Sequence, residues 1–232
     1  MKKFGFTLAE VLICIGILGV VAAVTLPALN SSVQKQQIGP GLAKAISAIK
    51  MANDYAMEHE HVRDLEDILT SNGQAASQYF EFVLPRYMQF DRINNTKNYK
   101  KFDKVSPYAT INDKTYGYQT KDGMVFFRPN PSTIKELPSK AHLGKGYTGK
   151  YWIVYVDING INKRPNSLGR DVFQLWVDTM GIVIPYGGAA YKNYTKSDSI
   201  LWHNGCKKDV TNAELCAGSI VDNAYKVIYD LD

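Results

Sequence analysis

Apolar residues run almost without a break from Phe6 to Leu29, and the only ionisable carboxyl or amine within that run is Glu10. A run of this length can cross the hydrocarbon core of a bilayer as a helix. Then the pattern changes. "NSSVQKQQ" (30–37) is polar, and Ile38-Gly39-Pro40-Gly41 is expected to interrupt any continuous helix. Beyond it Leu42, Ala45, Ile46, Ile49, Ala52 and Ala56 recur at three- and four-residue steps. That spacing predicts an amphipathic helix with its apolar stripe on a globular domain. The expectation is two helical pieces, hinged or locally melted at 39–41. Pro27 should bend the first piece or loosen its hydrogen bonding.

Residues 62–88 read as one or two short helices ending near Pro85, and "NNTKNYKKFDK" (94–104) as a polar loop. Strand signals dominate afterwards. Tyr116–Gln119 and Met124–Phe127 flank Lys121-Asp122-Gly123, a hairpin pattern. Tyr151–Val156 is the clearest strand, Val172–Val177 with Ile182–Ile184 predicts a second hairpin, and Tyr225–Tyr229 predicts a final strand. Residues 129–150 read as a loop. A long helix, helical padding and then an antiparallel sheet give an α+β fold.

Composition adds little to this picture. The chain of 232 residues is 45% apolar and carries a net charge of +5, with no basic cluster interleaved with aromatics. No nucleic-acid partner is predicted on that ground. The three cysteines say more. Cys14 lies in the apolar run as a small packing residue, whereas Cys206 and Cys216 form an isolated close pair. Such a pair suggests a disulfide in an oxidising compartment, the alternative being two unpaired thiols. Zinc is disfavoured there, because His203 is the only nearby imidazole and no C-x-x-C is present.

Glu10 is the decisive residue. A secretory signal peptide would have a shorter apolar core and no acid near its start. A plain membrane anchor leaves the acid unexplained, since a charge in the bilayer is costly and normally has a partner. The stretch Gly5-Phe6-Thr7-Leu8-Ala9-Glu10-Val11, behind Lys2 and Lys3, resembles the processing site of type IV pilins and their pseudopilin relatives. In that family a short basic leader ends in glycine, and a prepilin peptidase cuts after it and methylates the new terminal amine. A glutamate stands five residues into the mature chain, and a proline often sits near the end of the apolar part. The resemblance covers about 30 residues and implies cleavage after Gly5, methylation at Phe6, and assembly through Phe6, Glu10 and Pro27. Glu10 would neutralise the amine of a neighbouring subunit, which favours one register in the filament.

The domain organisation that follows is a leader (1–5), a transmembrane and filament-core helix (6–29), an amphipathic continuation (30–60) and a head (61–232). Lys2 and Lys3 would hold the N-terminus inside, leaving the head outside the inner membrane. Gly16, Gly19 and Ala23 suit close helix approach as well as ordinary membrane-helix composition. Expected partners are the prepilin peptidase, copies of the chain, other pilin-like subunits, the inner membrane and an assembly platform. Pilus and secretion pseudopilus stay open. So does a minor subunit with a binding head for surfaces, sugars or DNA, in adhesion or DNA uptake, which an exposed aromatic patch on the sheet would favour. A membrane-tethered enzyme would need a deep polar pocket with perturbed acids. No cofactor is required. Asp157, Asn159 and Asp171 are hard oxygen donors at a spacing that can hold calcium, as some major pseudopilins do in a loop after the sheet. The glycine and residue 168 do not fit an EF-hand, and an Asx-type turn uses the same residues. That turn is the preferred reading. His59 and His61 lie two apart and do not face together on a helix. No nucleophile–base motif, H-E-x-x-H, Walker loop or G-x-G-x-x-G is present.

Overall fold

A computed structural model describes residues 7–69, 75–93, 117–127, 134–136, 149–163, 165–188, 206 and 215–229. Helix α1 runs from Leu8 to His59 without a break, a rod of about 78 Å at the usual rise. Its second half buries Ile38, Leu42, Ala45, Ile49, Ala52 and Ala56, the stripe that the periodicity predicts.

The expected hinge at 39–41 is not there. Gly39 and Gly41 face the head, where a Cβ on Gly39 would overlap the backbone carbonyl of Tyr225 and one on Gly41 would press on Ile158 at 3.1 Å. These glycines are docking notches, and packing across them outweighs their weak helix propensity. Pro40 is exposed, and so is Gln36. The Gln36 carbonyl left without an intrahelical donor by Pro40 can therefore turn to water. The backbone is also helical through Pro27.

After α1, a single 3-10 turn (Leu65–Asp67) leads to a helical stretch: α2 (Ala75–Gln78), a π-type turn (Tyr79–Val83) and α3 (Leu84–Tyr87). The wide turn buries Tyr79, Phe80 and Val83 and leaves Phe82 outside. Asn53 of α1 is fully buried and ties two elements together. It accepts the Tyr79 hydroxyl at 2.6 Å and donates its amide to the Gly181 carbonyl at 2.9 Å. Burial pushes the Tyr79 phenol far above its ordinary value, with the Asn53 hydrogen bond opposing.

Among the described residues seven strands form one antiparallel sheet: β1 (Phe90–Ile93), β2 (Gly117–Thr120), β3 (Val125–Phe127), β4 (Lys135–Glu136), β5 (Lys150–Asp157), β6 (Val172–Asp178) and β7 (Val183–Pro185). The spatial order is β1-β2-β3-β5-β6-β7, with β4 beside the start of β5. Both predicted hairpins are present. The loop expected over 129–150 contains β4, and β1 is a further strand without a strong sequence signal.

The β5–β6 register sets Trp152 opposite Val177, Val154 opposite Leu175 and Val156 opposite Phe173. All six belong to the core shared with α1 and the short helices. The alternate positions carry an aromatic row, with Tyr151 stacked on Trp176 at 3.8 Å and Phe127 on Tyr155 at 5.5 Å. That row is buried as well, so β5 and β6 read as continuous apolar runs rather than alternating ones. The molecule is α+β, with the apolar stripe of α1 against one face of an antiparallel sheet.

The C-terminal segment differs from expectation. Helix α4 (Cys216–Asp222) precedes a turn in which Ala224 and Tyr225 both take left-handed backbone conformations. The predicted strand at 225–229 is therefore absent. Two residues at positive φ cannot continue a ladder, and the turn instead seats the Tyr225 carbonyl in the notch at Gly39. The Tyr229 hydroxyl then donates to the Gly169 carbonyl. Gly218 passes so close to Gly188 that a Cβ at either position would overlap the other's backbone, and the Gly218 amide donates to the Tyr186 carbonyl at 2.9 Å.

Candidate functional site

The apolar half of α1 projects from the head. From Leu8 to Leu26 nothing is buried, and Leu8, Leu18 and Val24 are each about two-thirds exposed or more. The span is 19 residues, long and apolar enough to cross a membrane. A Cβ built on Gly16 or Gly19 would meet nothing within 4 Å, so both positions stand open to a neighbour. Cys14 is likewise exposed.

At the start of the span Thr7 and Glu10 form a reciprocal cap. Thr7 has extended backbone angles, and its hydroxyl accepts the Glu10 amide at 3.3 Å. One carboxylate oxygen of Glu10 accepts both the Thr7 amide at 2.8 Å and the Thr7 hydroxyl at 2.9 Å. This satisfies two backbone donors that the first helical turn leaves open. Glu10 remains exposed, so its carboxylate can meet a further donor while Thr7 fixes its direction. The T-x-x-E spacing of Thr7 and Glu10 is the sequence signal for this role of Thr7, an uncharged residue beside a conspicuous acid.

The first 26 residues match the model of the prokaryotic N-terminal methylation motif. The chain carries the signal motif of type IV pilins and pseudopilins. Neither the curated proteins nor the solved structures contain a match. Gly5 and Phe6, the cleavage and methylation residues of the motif, lie outside the described residues. The motif implies processing by a prepilin peptidase and assembly with other pilin-type subunits, and it suggests a structural subunit.

Asp157, Asn159 and Asp171 do come together, at the end of β5 and the start of β6. One oxygen of Asp157 accepts the Asn159 and Gly160 amides at 3.1 and 2.8 Å. Both oxygens of Asp171 are taken by backbone amides, from Asn166 and Ser167 at 2.7 Å each, and the Asn159 side-chain amide adds a bond at 3.3 Å. Burial raises the Asp171 carboxyl above the usual aspartate range, with these hydrogen bonds pulling the other way. The side-chain oxygens of Asn159 and Asn166 are buried without a hydrogen-bond partner. Among the described residues no three acids, histidines or cysteines are grouped to hold a metal. The loop is thus an Asx-type network closed on its own backbone, with two side-chain amide oxygens, of Asn159 and Asn166, left without a hydrogen-bond partner.

Cys206 and Cys216 are joined as a disulfide across a sequence separation of 10. The bond anchors the first residue of α4, and Cys216 is buried in the core. His59 sits exposed beside Glu60, whose carboxylate also receives Arg86 at 2.7 Å and the Tyr87 hydroxyl at 3.1 Å. His61 leaves the helix in a left-handed conformation, so the two imidazoles form no pair. His203 lies outside the described residues.

Proposed function

We propose that the chain is a prepilin-like structural subunit, cut after Gly5, methylated at Phe6, and packed through α1 into a type IV pilus or a type II secretion pseudopilus. The carrying observation is the bare span of Leu8–Leu26, opened by Glu10 with its carboxylate oriented by Thr7 and exposed. A free-standing anchor needs only the apolar length. A filament subunit needs the acid as well, because a neighbour's terminal ammonium held in lipid requires a counter-charge. Lys2 and Lys3 support an N-terminus on the cytoplasmic side, with the head beyond the inner membrane. The disulfide fits an oxidising compartment there.

The other readings receive less support. The aromatic row on the sheet is buried, whereas a binding head would display such a patch. Asp171, whose carboxyl burial raises, has both oxygens engaged by backbone amides, which suits a turn better than proton transfer. Backbone amides already engage both oxygens of Asp171 and one of Asp157, and we read the loop as working without a cofactor.

Processing is the direct test. Gly5 lacks a side chain next to the bond to be cut, so Gly5→Leu should leave uncut precursor in the membrane. Intact-mass spectrometry of the unaltered protein should give a chain beginning at Phe6 with one added methyl group. A mass that retains Met1–Gly5 in assembled material would reject the proposal.

A further inference from the structure

The end of the head nearest the apolar run of α1 carries several exposed cations. The apolar run of α1 ends at Leu29, and Gln34 follows five positions later, about 8 Å along a helix. The headgroup layer on either side of the hydrocarbon is about 5–8 Å deep, and its charge is felt about 8 Å further in physiological salt. Gln34, Gln37 and Ile38 form one wall of a cleft of about 170 Å³ whose other wall includes Lys163 and Arg170. The β2–β3 turn reaches the same cleft through Asp122, and Lys121 precedes it in that turn, exposed. Lys226 follows the Tyr225 carbonyl that docks at Gly39, and so lies at the same level of α1.

The two acids that line the cleft, Asp122 and Asp171, are already engaged. Asp122 is paired with Lys44 at 2.6 Å. Asp157 and Asp171 are buried, with one oxygen of Asp157 and both oxygens of Asp171 on backbone amides. Lys121, Lys163, Arg170 and Lys226 enter no ion pair among the described residues. Four cations outside any described ion pair therefore sit within electrostatic reach of the bilayer surface, next to a cleft with amide donors on Gln34 and Gln37.

We propose that this face of the head docks on the phosphodiester headgroups of anionic phospholipids while the subunit is in the membrane. Lys163 and Arg170 take the phosphate at the cleft, and Lys121 and Lys226 add attraction at the rim. The contact would hold the head against the bilayer until assembly lifts the subunit out. It rests on the membrane-span reading of Leu8–Leu26, and it predicts nothing about cleavage.

The test uses the full chain in lipid nanodiscs of either pure phosphatidylcholine or phosphatidylcholine with phosphatidylglycerol, followed by amide hydrogen exchange. Exchange over 121–123 and 158–171 should slow at least threefold in the anionic discs, and the slowing should vanish in 0.5 M salt. The double variant Lys163→Glu/Arg170→Glu should lose it, with unchanged protection of β5 and β6 reporting an intact fold. If that variant fails to fold, the salt series and Lys121→Glu/Lys226→Glu carry the same expectation. Equal exchange in the two disc types overturns the proposal. So does slowing that follows the number of chains per disc whatever the lipid, which would assign this face to a neighbouring copy. A chain that does not enter discs at all would overturn the span reading, and this inference with it.

Discussion

Glu10 and Gly39 look like faults in a helix, an acid in an apolar run and a glycine in mid-rod, and both are explained by what they touch. Glu10 closes a cap with Thr7 and keeps its carboxylate exposed. Glu10→Ala should insert into the membrane at least as well as the native chain, since a costly group is gone. It should also be cut normally, because Gly5 and Phe6 are untouched. Assembly should fail, because a neighbour's ammonium left in lipid without its counter-charge costs several kcal/mol, on the order of 3–5. Sheared fractions and electron micrographs would then lack filaments; normal filaments, with no other subunit supplied, would give the acid some other purpose. Gly39 offers a test in which the sign decides. If residues 39–41 were a hinge, Gly39→Ala would stabilise the chain by about 1 kcal/mol through helix propensity. Because a Cβ there would overlap the Tyr225 carbonyl, the same change should instead destabilise by about 1–3 kcal/mol through overpacking. Denaturant unfolding of the head separates the two outcomes.

The elements that were legible in the sequence are those whose pattern reports one dominant interaction. The stripe from Leu42 to Ala56, the strand at 151–156 and the two hairpins all follow from periodicity or turn residues. The exceptions share a cause: a residue type with a local preference was recruited for a distant contact. Gly39 and Gly41 read as a break because their partners, Tyr225 and Ile158, lie far along the chain. Tyr225–Tyr229 has strand composition, yet Ala224 and Tyr225 turn to positive φ so that the tail can reach α1 and Gly169. β1 is short and half polar, and only its pairing with β2 makes it a strand. The acidic loop was legible as a candidate and also as its alternative, because turn formation and calcium binding call on the same side chains. The hydrogen bonds favour the turn. Millimolar calcium should therefore leave the melting temperature where a chelator leaves it. A rise with calcium would mean that the orphaned oxygens of Asn159 and Asn166 turn inward as ligands, since binding to the native state alone must stabilise it.

The molecule divides by what α1 touches rather than by where α1 ends. Up to Gln37 its described side chains are almost wholly exposed; from Ile38 onward every turn contributes to the core. One rod thus serves two environments, lipid or neighbouring helices at one end and its own sheet at the other, with no element among the described residues crossing between them. Cooperative unfolding of the head should accordingly ignore the apolar half. A chain beginning at residue 30 keeps Ile38, Leu42, Ala45, Ile49 and the Asn53–Tyr79 bond, and it retains both cysteines of the disulfide. It should be soluble without detergent, monomeric, and within about 0.5 kcal/mol of the full chain's head in denaturant midpoint, the range expected where no buried contact is removed. A cut at residue 42 would remove Ile38 and the notch at Gly39, and should cost about 2–5 kcal/mol, as loss of a large buried side chain does. Equal destabilisation by the two cuts would mean that the exposed half of α1 packs on the head after all. A clear step between them would place the boundary of the independently folding unit inside a single unbroken helix.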